Sequence, residues 1–139
     1  MPTKSLPVAD KKLLAAALAA ARNSYSPYSR FSVGAALLTE DGRVFTGCNV
    51  ENASYGLTLC AERVAISAAV AVGYRRFTRL AIAGGTKRAA RPCGACLQVM
   101  AEFCEPQFRI LMVPLDDPKK VERAALRDLL PQVFSFAKP

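Results

Sequence analysis

Two short motifs, which together contain three cysteines and one glutamate, constrain this chain more than any other feature of its sequence. They are C-A-E at residues 60–62 and P-C-G-A-C at residues 92–96, in a chain that contains no histidine. Three thiolates can hold a zinc ion and leave its fourth tetrahedral position open for water, whereas a structural site is usually closed by four protein ligands. A nearby carboxylate can move protons for that water. The motifs therefore predict a catalytic zinc centre with Glu62 as proton carrier and three ligands, Cys60, Cys93 and Cys96.

The two remaining cysteines decide between a catalytic and a structural site. Cys104 lies about 12 Å beyond Cys96 if the helix continues. Cys48 directly precedes Asn49, so on a strand the two side chains point to opposite faces. We expect Cys48 and Cys104 to be buried packing residues rather than ligands. A fourth protein ligand would instead favour a non-catalytic zinc domain that binds protein or nucleic acid.

Composition limits both the cellular compartment expected for the protein and the catalytic mechanisms open to it. The absence of histidine removes every mechanism and metal site that needs an imidazole. Five cysteines without a secretory signal indicate reduced thiols, which predicts a cytoplasmic protein. The longest apolar run, residues 13–21, is too short to cross a bilayer, so no membrane association is expected. The 139 residues are predicted to form one domain over residues 1–139.

The formal net charge of +8 makes a nucleic-acid partner a candidate. However, the basic residues are spread over a predicted helix end, a strand and a loop, without the interleaved aromatic side chains that single-strand binders use. A solvated basic surface is the preferred interpretation, and we do not expect a nucleic-acid partner. The basic residues concerned are Arg75, Arg76, Arg79, Lys87, Arg88 and Arg91.

The hydrophobic pattern predicts a mixture of helices and strands. Apolar residues recur at helical spacing over residues 9–23. Asp41 and Gly42 predict a hairpin between antiparallel strands over 31–38 and 43–50. After a loop over 51–58, the predicted elements are a helix over 60–72, a strand over 78–85, a helix beginning at Cys93 and a buried strand over 108–115. Both metal motifs would then open a helix, whose dipole favours thiolates.

The tail over residues 119–130 allows two interpretations. Its local propensity favours a helix, but an edge strand over 121–126 followed by one short helical turn is also compatible with the sequence. The order of the elements predicts an α/β fold in which helices pack on the faces of one mixed sheet.

The two metal motifs resemble those of the zinc-dependent cytidine deaminases. The resemblance extends from the first helix to about Phe134 and implies a three-layer α-β-α fold with a mixed five-stranded sheet and helices on both faces. It also implies a homotetramer whose sites are shared between subunits. Further segments that are similar to the small free-nucleoside enzymes of the family are S-P-Y-S at 26–29, Phe31, V-G-A-A at 33–36, G-C-N-V-E-N-A at 47–53 and L-L-P at 129–131.

The resemblance implies a role for each motif residue. The three motif cysteines would bind zinc, and Glu62 would carry the proton in the hydrolytic deamination of cytidine and deoxycytidine to uridine and deoxyuridine. This reaction releases ammonia and belongs to pyrimidine salvage. The other implied nucleoside contacts are Asn49 and Glu51 at the ribose 3′-hydroxyl, the rings of Phe31 and Tyr55, the backbone of Ala61 and Cys93 at the base, and Phe134 from a neighbouring subunit.

Asn49 and Glu51 also suit a sugar on physical grounds. They are two residues apart, so at an extended strand end their side chains share a face and can hold one hydroxyl between an amide and a carboxylate. The carboxylate would repel a 3′-phosphate, which disfavours a polynucleotide substrate. Two alternatives with the same chemistry stay open: a deaminase of another cytosine-containing molecule, such as a free base or a nucleoside antibiotic, and a deaminase of polynucleotides.

One position departs from the family pattern. Many relatives carry an arginine directly after the second cysteine of P-C-x-x-C, where this chain has Leu97. Arg63, which follows Glu62, is then the residue expected to offset the negative charge of three thiolates on one divalent ion.

Overall fold

In the computed structural model, which describes residues 5–138, the predicted helices and strands are present in the predicted order. None of the helices within these residues is both long and apolar enough to span a bilayer. The bounds are α1 Val8–Ala21, β1 Val33–Thr39, β2 Val44–Cys48, a 3₁₀ turn Tyr55–Leu57, α2 Ala61–Ala71, β3 Phe77–Gly84, α3 Gly94–Phe103, β4 Arg109–Val113, β5 Glu122–Ala125 and α4 Leu126–Leu129.

The strands form one five-stranded sheet in the order β2-β1-β3-β4-β5. β1 pairs antiparallel with β2 and β3, β3 pairs parallel with β4, and β4 pairs antiparallel with β5. The predicted hairpin joins β1 and β2 through Gly42, whose φ of 88° lies in the left-handed region that glycine adopts without a steric penalty. The prediction of a mixed five-stranded sheet is therefore confirmed.

The sheet buries two hydrophobic cores on opposite faces. Ala36 and Ala81 pack with residues of α1 in one core. Their chain neighbours Ala35 and Leu80 pack with residues of α2 and α3 in the other. Because consecutive residues of a strand point to opposite faces, helices cover both sides of the sheet, as the predicted three-layer α-β-α fold requires.

Some predicted boundaries differ from the observed ones. α1 ends at Ala21 rather than at residue 23, because the N–H groups of Asn23 and Ser24 bond to carbonyls only three residues back, in a tighter turn. β2 ends at Cys48, and Val50 instead forms isolated bridges with Tyr25 and Leu59. In the tail, the second interpretation is correct: β5 is a short edge strand, and α4 is a single turn of helix.

The expectation that Cys48 and Cys104 are buried is wrong, because both residues are half-buried. Cys48 Sγ lies 3.5 Å from the carbonyl oxygen of Asn23 at the end of α1. Cys104 follows the last residue of α3 and packs against the edge of the core, which is why part of it stays accessible. Within residues 5–138, neither of them joins the cluster of the three motif cysteines.

Two glycines let helices lie directly on strands. A Cβ atom on Gly34 would lie 2.1 Å from the carbonyl oxygen of Ala17, so α1 rests on the backbone of β1. A Cβ atom on Gly47 would lie 2.5 Å from the carbonyl oxygen of Ala61 and 2.6 Å from the backbone nitrogen of Ala65. The Gly47 contact positions the first turn of α2, which carries the C-A-E motif.

We expect Gly47→Ala to displace the first turn of α2, because the added methyl would meet backbone atoms that cannot rotate away. Overpacking of this kind typically costs about 2 kcal/mol, and the displacement should also weaken zinc binding. Thermal unfolding and a competitive zinc titration measure the two effects. Gly56→Ala is the matched control, because a Cβ atom there meets nothing within 4 Å. Equal melting temperatures and zinc affinities for the two variants would contradict the role of Gly47.

Candidate active site

The three predicted metal ligands lie together where two helices begin. Cys60 is the N-cap of α2, Cys93 is the N-cap of α3, and Cys96 lies in the first turn of α3. Their Sγ atoms all lie within 4.8 Å of one another. The Sγ–Sγ distance is 3.9 Å between Cys60 and Cys93 and 3.5 Å between Cys93 and Cys96. Two motifs that are distant in the sequence therefore form one cluster.

The spacing of the sulfurs suits a tetrahedral zinc ion. Zinc–sulfur bonds are about 2.3 Å long, so two thiolates at tetrahedral corners lie about 3.8 Å apart. Within residues 5–138, the cluster of potential ligand residues contains these three cysteines alone. A three-thiolate set leaves one coordination position for a non-protein ligand, as a catalytic zinc site requires.

Positive groups surround the cluster. α2 and α3 both begin at the sulfurs, so the positive ends of their dipoles favour thiolates. The Arg63 guanidinium lies 3.5 Å from Cys60 Sγ, and this hydrogen bond raises the pKa of Arg63. Leu97, which follows Cys96, is buried in the core and supplies no charge to the cluster. The geometry thus suits the predicted charge compensation by Arg63.

The thiols differ in their surroundings. Burial raises the pKa of Cys96, and the nearby Glu62 carboxylate acts in the same direction. For Cys93, burial acts to raise the pKa, but hydrogen bonds from Cys96 and Cys60 outweigh it, and the pKa is lowered. A thiol that binds zinc must lose its proton, so metal binding at this site releases protons.

Glu62 is a buried carboxylate beside the cluster, with 4% of its surface exposed. Its Oε2 atom accepts a hydrogen bond from Cys96 Sγ at 3.3 Å. Burial raises the pKa of Glu62 more than its hydrogen bonds and the charge of Arg63 lower it. Because Cys60 lies just outside the helix as its N-cap, Glu62 in the first turn of α2 lies at the helix start, where it contacts the Cys96 sulfur.

A cavity of about 380 Å³ opens onto the cluster and Glu62. The predicted substrate-binding residues that line it are Phe31, Asn49, Glu51 and Ala61. Ala61 is the first residue of α2, where backbone N–H groups have no partner within the helix. The remaining wall residues include Ser29, Val33, Thr58, Leu59, Ala90 and Arg91.

Hydrogen bonds hold the two predicted ribose-binding side chains in the cavity wall. Asn49 is buried, and its side-chain amide accepts the backbone N–H of Val33 and donates to the backbone carbonyl of Phe31. Glu51 Oε1 accepts the backbone N–H groups of Tyr28 and Ser29 at 2.9 and 3.1 Å, and Oε2 accepts the Ser29 hydroxyl. These bonds lower the pKa of Glu51, and the bond from the Ser29 hydroxyl has the largest effect. Glu51 therefore stays ionised at neutral pH.

Tyr55 and Phe134 lie outside the wall of this cavity in the single chain. Tyr55 is 75% exposed and lines an adjoining cavity of about 370 Å³ together with Tyr28 and Glu51. Phe134 is 65% exposed, and its carbonyl oxygen accepts a hydrogen bond from Gln98 Nε2 at 2.9 Å. The tail that carries Phe134 is therefore tied to the outer side of α3.

Ser29 and Arg91 are two of the wall residues that were not predicted as site residues. Arg91 forms an ion pair with Glu122 Oε2 at 2.9 Å, whereas its charge alone predicted only a place on a solvated basic surface. Its place directly before the P-C-G-A-C motif was the available signal. Ser29 belongs to the S-P-Y-S segment, but only the folded chain shows that it contacts Glu51.

Comparison with known proteins agrees with this geometry. The family model described as the cytidine and deoxycytidylate deaminase zinc-binding region matches residues 7–112. The chain belongs to the cytidine deaminase family. A cytidine deaminase from Sporosarcina psychrophila is 45% identical over 125 residues, which cover 90% of this chain and 90% of that protein. One from Mycobacterium tuberculosis strain H37Rv is 48% identical over 117 residues, or 84% of this chain and 83% of that protein.

Solved cytidine deaminase structures share the fold. The 1.6 Å crystal structure of cytidine deaminase from Burkholderia pseudomallei superposes with a TM-score of 0.84 and 48% sequence identity, covering 89% of this chain and 98% of that one. Cytidine deaminase from Mycobacterium tuberculosis superposes with a TM-score of 0.78 and 43% identity, covering 94% of this chain and 100% of that one. Membership of this family and the sulfur geometry together assign zinc as the cofactor of the enzyme.

We expect one zinc ion per chain, measured by metal analysis, and a defined pattern of thiol reactivity. With zinc bound, the three motif thiols should be protected from a disulfide reagent, whereas Cys48 reacts. Chelation should expose Cys60 and Cys93. Cys104 should react slowly in both states, because burial raises its pKa to about 12 and little thiolate is present at neutral pH. Protection of a fourth thiol by zinc would indicate a closed structural site.

Proposed function

We propose that this enzyme deaminates cytidine and deoxycytidine by hydrolysis, yielding uridine and deoxyuridine with release of ammonia. The observation that carries the proposal is the buried Glu62 carboxylate, which lies beside a cluster of three cysteine sulfurs at a cavity of about 380 Å³. Glu51 and Asn49 line the same cavity and provide hydrogen-bonding groups for a sugar. One cavity thus offers proton transfer and sugar recognition.

Glu62 is the proposed catalytic residue. Zinc supplies Lewis-acid activation of water at neutral pH. Glu62 accepts a proton from the water that attacks C4 of the cytosine ring and passes it to ring N3. It then takes the remaining proton of the new C4 hydroxyl and gives it to the amine, which departs as ammonia when the C4–N bond breaks and the C4 carbonyl forms. A pKa raised by burial suits this alternation, because a general acid and base works best when its pKa lies near the operating pH. The backbone at Ala61 and Cys93 meets the polar edge of the base.

Asn49 and Glu51 bind the ribose 3′-hydroxyl in this proposal, while Phe31 and Tyr55 enclose the nucleoside. The pKa of Glu51 is lowered, so the group stays a carboxylate at neutral pH. It can then accept a hydrogen bond from the hydroxyl and repel a phosphate at the same position. An internal nucleotide of RNA or DNA carries that phosphate, which is why free nucleosides are the proposed substrates.

The enzyme is further proposed to act as a cytoplasmic homotetramer in pyrimidine salvage, with sites shared between subunits. Phe134 and Tyr55 support shared sites, because both rings are largely exposed in one chain and could be covered by a neighbour. The five cysteines are free thiols, which suits a reducing compartment.

Glu62→Gln should lower kcat for cytidine by about 100- to 10,000-fold, because the amide keeps the shape of the side chain but cannot accept and return a proton. Zinc content should stay at one ion per chain, since Glu62 is not among the three ligands. An ammonia-release assay and metal analysis measure the two effects. Glu102→Gln, near the far end of α3, is the matched control and should keep full activity. Substantial activity in Glu62→Gln would remove the assigned role.

Glu51→Ala should lower kcat/KM for cytidine by about 10- to 100-fold, the usual effect of losing a hydrogen bond to a charged group. The kcat/KM for deoxycytidine should fall by the same factor, because deoxycytidine also carries the 3′-hydroxyl. Any activity on free cytosine should be unchanged, because the base has no sugar. Parallel assays of the three substrates test this. Undiminished activity of Glu51→Ala on cytidine would contradict recognition of ribose by Glu51.

A further inference from the structure

The amide of Asn49 can adopt only one orientation. Its Oδ1 atom accepts the backbone N–H of Val33 at 2.9 Å, and its Nδ2 atom donates to the backbone carbonyl of Phe31 at 2.7 Å. A backbone N–H can only donate and a carbonyl can only accept, so exchanging the oxygen and the nitrogen would break both bonds. Nδ2 carries a second hydrogen, and Asn49 lines the cavity. Asn49 therefore presents a donor to the ligand.

Ser24 stabilises this orientation through its own hydrogen bond to the Asn49 amide. Its hydroxyl hydrogen-bonds to Asn49 Oδ1, and because this oxygen carries no hydrogen, the serine must be the donor. Together with the N–H of Val33, this bond occupies both acceptor sites of Oδ1. The Ser24 backbone N–H bonds to the Ala21 carbonyl at 3.2 Å, so the end of α1 holds the serine in place.

The neighbouring Glu51 has the opposite character. Its carboxylate can only accept, and the Ser29 hydroxyl and the Tyr28 and Ser29 backbone N–H groups hold it in the wall. Only a group that both accepts and donates, such as a hydroxyl, can bond to Asn49 and Glu51 together. A ligand with hydrogen or an ether oxygen at this position would satisfy at most one of them.

We propose that Ser24 is a positioning residue that makes Asn49 a dedicated donor and so sharpens selectivity for a free sugar hydroxyl. The inference rests on the proposed contact of Asn49 with ribose. Ser24 touches no substrate itself and acts through the orientation of the amide. Ser26 extends the chain of hydroxyls, with its Oγ 3.1 Å from Ser24 Oγ and 3.4 Å from Ser32 Oγ, but its own bonds do not reach Asn49.

The test compares cytidine with 3′-deoxycytidine, which lacks the hydroxyl. Ser24→Ala should raise KM for cytidine about 3- to 10-fold, as the loss of one hydrogen bond does. It should leave kcat within about twofold and should scarcely affect kcat/KM for 3′-deoxycytidine. The preference for cytidine over the deoxy analogue should fall by the same factor. Ser24→Thr retains the hydroxyl and should restore the preference, while Ser26→Ala is the control that leaves the Asn49 bond intact.

A double-mutant cycle with Asn49→Ala separates the outcomes. If Ser24 acts through Asn49, then Ser24→Ala should change nothing further in the Asn49→Ala background. An additional loss there, or an equal loss on both substrates in the wild-type background, would show a general structural role and overturn the inference. If Asn49→Ala abolishes the preference but Ser24→Ala keeps it, the inference fails and the proposed ribose contact stands. If Asn49→Ala itself keeps the preference, the ribose contact fails, and this inference fails with it.

Discussion

The active site depends on bringing three sulfurs and a buried carboxylate within a few ångströms of one another. As anions these groups repel one another strongly where water is scarce, so the surrounding structure must supply positive charge. Two helix starts, the Arg63 guanidinium and zinc do so. Both helix starts follow from the fold. α2 rests on β2 at Gly47, and α3 follows β3 on the same face of the sheet, so their first turns meet beside one cavity.

The wall that we propose receives the sugar is built from a different part of the chain. The segment after α1 and the residues after β2 are tied together by backbone bonds, including those from Tyr25 N–H to the Asn49 carbonyl and from Glu51 N–H to the Tyr25 carbonyl. These bonds hold Asn49 and Glu51 in the wall of the cavity that Cys60 and Cys93 also line. The cavity therefore has one wall made of helix starts, which carries the cysteine cluster, and one wall made of paired loops, which is the proposed sugar-binding wall.

The sequence correctly predicted the features that depend on residues close together in the chain. The metal motifs, the Asp41-Gly42 hairpin and the sheet buried between helices all follow from residue spacing and hydrophobic pattern. Burial of Cys48 and Cys104 was predicted wrongly, because burial at the end of an element depends on its neighbours in the fold. The contact between Ser24 and Asn49 spans 25 residues, and no periodicity in the sequence indicates it. The edge strand β5 also needed the folded chain, because its pairing with β4 overrides its helical propensity.

The different construction of the two walls has a consequence for how such an enzyme can change. In the metal-binding wall, regular helices fix the positions of the sulfurs. The other wall is assembled from short irregular segments joined by individual hydrogen bonds. Side-chain substitutions between residues 24 and 31 or between 49 and 55 can therefore alter which ligands are accepted, provided that they keep the two backbone bonds between Val50 and Leu59, the residue before Cys60. The same catalytic apparatus could be inherited intact while substrate preference diverges, and directed evolution of altered specificity has a natural place to begin.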